Sequence, residues 1–259
     1  MKYLLILAMI LSNITHSNLM AKPRLKIGVQ DFSEYLPYSR VQNGQYSGFN
    51  RQLLDRFAEL NDFEFSYIPM PIKRLYHEFL NTKVDLKYPD SSYWSKSLKD
   101  NYIKNNNISI YYSDPIVSYT DGLMVLPKNV KLTKKNLGKN FKSLGIIAGF
   151  TPFAYLNHIK NKVVEVHEVN SYEGLLNMVI SGRIHGAYSN IDVTKYYLDK
   201  VMNKKNALIF AKTLPHTNST RHLSSIKHPD VIKKFNHFLS TQTTWIMELK
   251  RKHGLATSL

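Results

Sequence analysis

Two periods of apolar residues alternate along the chain, and each change of period marks a predicted element. Strand-like runs are followed by stretches in which apolar residues recur every three or four positions, as on one face of a helix. In the first half, the predicted elements are strand 24–29, helix 48–61, strand 64–68, helix 73–81 and strand 84–88. Pro69 and Pro71 are predicted to end the second strand. This alternation favours a mainly parallel sheet with helices on both faces.

The same order of elements recurs about a hundred residues later. The predicted elements there are strand 143–148, helix 152–159, strand 163–169, helix 171–181 and strand 184–188. The remaining predictions are strands at 108–112 and 123–126, a basic surface loop at 128–140, extended segments at 207–211 and 221–226, and terminal helices at 230–240 and 243–253. The chain is therefore expected to form two α/β lobes.

The terminal helices are expected to pack on the first unit, which makes that lobe discontinuous. The predicted domains are 22–120 together with 220–259 for the first lobe, and 121–219 for the second. Two connections, near 120–126 and 217–225, would then join the lobes. Two crossings form a hinge, and a cleft between hinged lobes can close.

The N-terminal segment has the pattern of a secretory signal peptide. Met1 and Lys2 precede an apolar run at 3–11, a polar stretch follows, and Ala21 is a candidate last residue before cleavage, with Ser17 as the alternative. The run is too short to span a bilayer. The other interpretation is a buried N-terminal strand or helix. We expect residues 1–21 to be removed and the remaining chain to be an exported, soluble protein.

Composition narrows the possible chemistry. The chain has no cysteine, which excludes disulfides, thiolate metal sites and cysteine nucleophiles. Its ten histidines form no metal-ligand spacing, and neither a nucleophile elbow nor a phosphate-binding loop is present. We therefore expect no metal, no cofactor and no catalytic residue. The formal net charge is +16, with 35 Lys and Arg against 19 Asp and Glu.

Eight short motifs follow one another over residues 24–254. They are 25–29 (LKIGV), 35–38 (YLPY), 48–50 (GFN), 83–86 (KVDL), 112–115 (YSDP), 147–151 (IAGFT), 181–184 (SGRI) and 226–230 (IKHPD). In their order and spacing they resemble the periplasmic solute-binding proteins of family 3, which deliver polar amino acids and related solutes to ABC importers. The resemblance implies a two-lobed, hinge-closing binding protein of type II, a small-molecule ligand, a monomeric state, and an importer permease or membrane receptor as partner.

The sequence departs from the family pattern at two places. Family members that bind amino acids usually carry an arginine after the third strand that holds the ligand carboxylate, and 88–110 contains none. They also usually place an aspartate for the ligand ammonium where this chain has Ser189 and Asn190, unless Asp192 takes that role. An unpaired ammonium in a closed cleft is costly. The departures therefore disfavour an ordinary α-amino acid and leave a small polar or anionic solute, amino acid-like or an organic acid.

Ligands of open α/β sheets bind beyond the carboxyl ends of the strands. The candidate ligand-binding residues on this rule are Tyr35, Tyr38, Arg74, Tyr88, Asp90, Trp94, Gly149, Phe150, Thr151, Tyr188 and Asn190. The aromatic residues are candidate stacking walls, although core packing explains any one of them as well. Asp121 and Gly122 are predicted to form a turn.

The polar candidates each have a second interpretation. Arg74 could supply the missing guanidinium or be a solvated helix-start residue. Residues 149–151 could hold a carboxylate or phosphate at a helix N-terminus, or Thr151 could be a plain N-cap. Asp90 could orient a cationic or hydroxyl group, or form a turn after Pro89.

Three other functions are compatible with parts of the sequence. A ligand-sensing receptor component would use the same closing cleft. A dehydratase acting on cyclohexadienyl substrates would need an acid or base in the cleft, for which Glu34 is the nearest candidate. The positive charge is typical of nucleic-acid binding, but no nucleic-acid motif is present and no such partner is expected.

Overall fold

The computed structural model describes residues 22–257, and the predicted signal peptide lies outside this range. The strands are β1 (Arg24–Gln30), β2 (Arg40–Gln42), β3 (Gln45–Ser47), β4 (Glu64–Met70), β5 (Leu86–Asp90), β6 (Tyr111–Tyr112), β7 (Val117–Val125), β8 (Ser143–Ile147), β9 (Glu165–Val169), β10 (Gly186–Asn190), β11 (Ile209–Phe210) and β12 (Thr217–Ser225). The α-helices are α1 (Phe49–Leu60), α2 (Ile72–Leu80), α3 (Lys96–Asn106), α4 (Leu156–Lys160), α5 (Tyr172–Ile180), α6 (Ile191–Tyr196), α7 (Pro229–Thr241) and α8 (Thr243–Lys252).

Eight strands form one continuous path in the order β4-β1-β5-β12-β7-β10-β8-β9. At one end β1 lies parallel between β4 and β5, and at the other β8 lies parallel between β9 and β10. The two parallel groups belong to the two lobes. The predicted α/β class, with a mainly parallel sheet in each lobe, is confirmed.

Two long antiparallel strands connect the parallel groups. β7 and β12 pair with each other from Asp121 opposite Thr217 to Val117 opposite Arg221. β12 also pairs with β5 of the first lobe, and β7 pairs with β10 of the second. The two crossings predicted near 120–126 and 217–225 are therefore present, and they lie side by side as a two-stranded ribbon.

The C-terminal helices pack on the first lobe. Phe57 of α1 is fully buried, and its ring centroid lies 4.9 Å from that of Phe235 and 5.6 Å from that of Phe238, both on α7. Phe63 and Phe65, beside and within β4, complete this aromatic cluster at 5.9 and 6.0 Å from Phe57. The apolar face of α1 is thus covered by the chain end, as predicted.

The second lobe has its own apolar core around Phe141. This ring is fully buried between the ring of Tyr155, 6.4 Å away, and His185, 5.6 Å away. The helix α5 covers the other face of this sheet and is capped by Ser171, whose hydroxyl accepts a hydrogen bond from the Gly174 amide at 3.1 Å. The second sheet is therefore covered on both faces.

Several local predictions were wrong. Pro69 does not end β4, because β4 is the edge strand and needs no amide donor on its outer side. Asp121 and Gly122 lie within β7 and not in a turn. The predicted helix 152–159 starts with a 3-10 turn at Phe153–Tyr155 before α4. The hairpin of β2 and β3 and the helices α3 and α6 were not predicted.

None of the helices within residues 22–257 combines the length and apolar character needed to cross a bilayer.

Candidate ligand-binding cleft

A cavity that is partly open to solvent lies between the lobes at the carboxyl ends of β1, β5, β8 and β10. It is lined by Gln30, Tyr35, Ile72, Tyr76, Trp94, Ser95, Asp121, Gly149, Phe150, Thr151, Phe153, Tyr188, Ser189, Asn190 and Arg221. Each lobe contributes one side, and the two crossing strands supply Asp121 and Arg221 between them. This cavity is the candidate site, and we call it the cleft.

Seven of the predicted ligand-binding residues line the cleft. They are Tyr35, Trp94, Gly149, Phe150, Thr151, Tyr188 and Asn190. These residues lie at or beyond the ends of four different strands. The rule that ligands bind beyond the carboxyl ends of strands therefore selected residues that the fold places in one cleft. Their contact with a ligand stays a prediction.

The other four predicted residues lie elsewhere. Arg74 is exposed on α2 and does not line the cleft. Tyr38 and Tyr88 are buried behind it, at 1% and 0% exposure. Asp90 is fully buried in the first lobe, where two lysines pair with it.

Arg221 is the guanidinium of the cleft, and sequence reasoning missed it. It comes from β12, is 1% exposed, and lies with its guanidinium carbon 3.8 Å from the ring centroid of Tyr38. Its Nη2 donates a hydrogen bond to the Tyr35 hydroxyl at 3.1 Å. Its Nε and Nη1 are buried and have no hydrogen-bond partner within the described chain. A buried, partly unsatisfied guanidinium at a cleft is suited to bind a carboxylate.

Asp121 of β7 is the acidic group of the cleft. The half-buried carboxylate accepts one hydrogen bond from Asn190 Nδ2, at 3.3 Å. Burial raises the pKa of Asp121 to about 6, although the positive charge of Arg221 and the Asn190 hydrogen bond oppose the increase. No ion pair joins Asp121 directly to Arg221 in the described structure. A buried guanidinium and a half-buried carboxylate that form no ion pair with each other are both available to a ligand.

Burial of Asp121 has a consequence for stability that can be measured without a ligand. Its pKa of about 6 in the folded chain exceeds the ordinary value of 3.8, so the folded chain binds this proton more readily than the unfolded chain. The ionised carboxylate therefore destabilises the fold above about pH 6, and protonation relieves this as the pH falls towards 4. We subtract the unfolding free energy of Asp121→Asn from that of the wild type. We expect this difference to rise as the pH is lowered from about 7 to about 5. Urea denaturation of both proteins at each pH measures this difference, and a constant difference would contradict the expectation.

A buried charge cluster lies behind the aromatic wall formed by Tyr76 and Trp94. Lys87 Nζ lies 2.9 Å from Asp90 Oδ1, and Lys99 Nζ lies 3.7 Å from the same oxygen. Burial alone would raise the pKa of Asp90, but the two lysines and a hydrogen bond from Ser224 hold it below its usual range. The cluster therefore carries two ammonium groups and one carboxylate.

The two lobes touch across the cleft. The Tyr38 hydroxyl donates to Asp192 Oδ2 at 3.3 Å, and the rings of Phe32 and Phe150 lie 5.6 Å apart. Asp192 is exposed and is not part of the cleft lining. The structure therefore shows the lobes in contact.

The helix N-terminus beyond β8 differs from the prediction. Pro152, not Thr151, is the N-cap of the 3-10 turn, and the following α4 has five residues. The interpretation of Thr151 as a plain N-cap is therefore wrong. Thr151 lines the cleft, so a ligand there would meet its hydroxyl and the neighbouring backbone groups.

Within residues 22–257, no group of three or more acidic or histidine side chains is arranged to hold a metal ion.

Comparison with known proteins gives matches of fold only. No family model matches the sequence, and no curated protein matches it either. A putative binding component of an ABC transporter from Wolinella succinogenes, in complex with lysine, is 16% identical with a TM-score of 0.71, over 91% of this chain and 97% of that one. An ancestral arginine-binding protein bound to arginine is 16% identical with a TM-score of 0.69, over 90% and 99%.

A third similar structure connects the fold to an enzyme. It is an ancestral amino acid-binding protein described as a precursor of cyclohexadienyl dehydratase, 17% identical with a TM-score of 0.67, over 91% of this chain and 97% of that one. At such identities the likeness concerns the fold. The chain has the two-lobed fold of the amino acid-binding proteins of ABC transporters, and the resemblance predicted from its sequence is confirmed at that level.

Proposed function

We propose that the protein is a solute-binding protein that captures a small carboxylate-containing solute, amino acid-like or an organic acid, in the cleft for an ABC importer. One observation carries the proposal: Arg221 lies in the cleft at 1% exposure, and two of its guanidinium nitrogens have no partner in the described part of the chain. A ligand carboxylate would satisfy those donors, and charge-assisted hydrogen bonds of this kind are strong.

The other cleft residues fit the same ligand. Asp121 would pair with an ammonium or hydroxyl group, while Tyr35, Phe150 and Tyr188 would enclose an apolar or flat part. These residues come from both lobes and from the strands that connect them. In the closed form, a ligand would therefore contact both lobes and both connecting strands. Such a ligand shifts the equilibrium towards closure, since only differential affinity can do so.

The cell location and the domain boundaries belong to this proposal. An N-terminal signal peptide at 1–21 would place the protein in the periplasm as a monomer, with an importer permease as its membrane partner. The lobes would comprise 22–120 with 220–259, and 121–219. The pairing of β7 with β12 supports boundaries within these two strands.

A ligand screen tests the proposal. A ligand that binds only the folded protein raises its melting temperature. The increase grows with the ratio of the ligand concentration to Kd. Thermal shifts would be recorded with amino acids, organic acids, polyamines and aromatic acids, and positives confirmed by calorimetry. We expect carboxylates to give the largest shifts. A shift with polyamines alone, or with no compound that has a carboxylate, would refute the proposal.

The glycine at the mouth of the cleft offers a test of closure. Gly149 has φ of +90°, and a Cβ there would lie 3.1 Å from the Ile72 Cβ of the opposite lobe. Gly182 also has positive φ, +74°, but a Cβ there meets nothing within 4 Å. Both Gly→Ala changes strain the backbone, and only Gly149→Ala obstructs closure. We expect Gly149→Ala to weaken ligand binding about ten-fold and Gly182→Ala to lower stability alone. Equal affinities of the two variants would show that this contact does not limit closure.

An enzyme is the second candidate, because burial raises the pKa of Asp121 into a range suited to proton transfer. A carboxyl group with a pKa of about 6 can act as a general acid or base near neutral pH. Glu34 does not take this role, since it accepts a hydrogen bond from Gln42 Nε2 at 3.0 Å and lines a different cavity. Turnover of prephenate, followed by ultraviolet absorbance, would favour this candidate if it is lost in Asp121→Asn.

A further inference from the structure

We infer that the part of the ligand that meets Tyr76 and Trp94 is uncharged or anionic, and that the cleft rejects basic amino acids such as arginine and lysine. The inference rests on the proposed function, because it names the solute class that the same cleft selects. It follows from the charges buried behind this wall.

A cation already lies against the Tyr76 and Trp94 rings on the protein side of the wall, away from the cleft. Lys87 Nζ lies 4.2 Å from the ring centroid of Tyr76 and 5.8 Å from that of Trp94, while both rings line the cleft. The face of an aromatic ring attracts a cation through its quadrupole, and Lys87 uses that attraction from the protein side. A ligand cation on the other side of the ring would be close enough to Lys87 to be repelled through a medium of low polarity.

The acidic groups nearby do not cancel this charge. Asp90 Oδ2 accepts a hydrogen bond from Ser224 Oγ at 2.7 Å, and its Oδ1 is shared by both lysines and by the Ser91 amide at 2.8 Å. Its carboxylate is fully buried and does not line the cleft. One carboxylate therefore faces two ammonium groups, and the cluster keeps one positive charge.

Counting the charges of the cleft together with those of the buried cluster behind the wall gives the same sign. Lys87, Lys99 and Arg221 contribute three positive charges, and Asp90 and Asp121 contribute two negative ones, which leaves +1. An amino acid-like ligand whose carboxylate binds Arg221 and whose ammonium binds Asp121 would use the two groups on the crossing strands. Its side chain would then meet the wall and its remaining positive charge.

This selection differs from that of the proteins with a similar fold. The two solved structures described above contain arginine and lysine as ligands. Burial lowers the pKa of Lys87 to about 8, opposed by Asp90, so this ammonium is still largely protonated at neutral pH. The same fold would here exclude the solutes that those proteins bind.

Arginine and its neutral isostere citrulline separate charge from shape. Dissociation constants of both would be measured by calorimetry for the wild type, for Lys87→Met, and for Lys104→Met as a control. Lys104 is an exposed lysine of α3, so its replacement removes the same charge without touching the wall. We expect the wild type to prefer citrulline by about ten-fold or more, Lys87→Met to reduce that preference about ten-fold, and Lys104→Met to leave it unchanged.

The wild-type comparison decides the inference even if Lys87→Met fails to fold. Arginine binding as tightly as citrulline, or a basic amino acid giving the largest shift in the ligand screen, would overturn it while leaving the proposed function intact. A folded Lys87→Met with an unchanged preference would also overturn it, because Lys87 would then not be the cause. Failure of every carboxylate in the screen would instead refute the proposed function.

Discussion

Arg221→Met is expected to lower the affinity for a carboxylate ligand about 100-fold, equivalent to about 3 kcal/mol. The reason is the pair of buried guanidinium nitrogens, Nε and Nη1, that have no hydrogen-bond partner among residues 22–257. Methionine keeps much of the apolar volume but removes every donor. The dissociation constant of the best ligand from the screen, measured by calorimetry, gives the result.

A comparison of two arginines makes this prediction specific. Arg74→Met removes the same charge from an exposed position on α2, outside the cleft. If Arg74→Met abolished binding and Arg221→Met did not, the assignment made from the sequence would hold and the one made from geometry would fail. Arg221→Lys keeps the charge without the planar fork, so we expect intermediate affinity. Circular dichroism and the melting temperature show whether each variant is folded, since Arg221 also packs on Tyr38.

Phe57→Ala is expected to lower the free energy of unfolding by about 3–5 kcal/mol. Its ring is fully buried and lies within 6.0 Å of four other phenylalanine rings, centroid to centroid. Removing it leaves a cavity between α1 and α7 that rigid neighbours cannot fill. Leu60→Ala, on the same helix at 46% exposure, is the control, with an expected change within about 0.5 kcal/mol. Urea denaturation of both variants measures the effect.

The same residue tests whether the chain end belongs to the first lobe. Phe57 and Phe235 are in direct contact although they are 178 positions apart in the sequence. Their alanine variants should therefore be non-additive in a double-mutant cycle, by about 0.5–3 kcal/mol. Additive effects would indicate that α7 contributes little to this lobe.

The elements with a strong apolar periodicity could be predicted from the sequence. α1 was predicted to within one residue at each end, because its apolar residues fall on one buried face. In α3, by contrast, the only buried residue is Lys99, so no apolar face marked the helix. Its burial depends on Asp90 and Tyr112, which are partners that no local pattern can indicate. β4 continued through Pro69 because its position at the edge is a property of the whole sheet.

The residues of the cleft could be predicted from the sequence only where they lie just beyond the end of a strand. Gly149, Phe150 and Thr151 begin one residue beyond the end of β8, so the general rule located them. Arg221 and Asp121 lie within the long crossing strands, and the rule does not consider the interior of strands. Their common position depends on the pairing of β7 with β12, which sets Asp121 opposite Thr217 and Arg221 opposite Val117 on one two-stranded ribbon. The sequence indicated both crossings but not which side chains they place in the cleft.

The pairing of β7 with β12 has a consequence for the order of events in binding. When two rigid bodies rotate about a connecting ribbon, atoms on the ribbon are displaced least. Arg221 and Asp121 are on this ribbon, so their separation would be nearly the same before and after rotation. A ligand could therefore dock its charged end first, on a preformed pair of groups, and the aromatic residues of both lobes would enclose the rest afterwards. Selection by charge would then precede selection by shape.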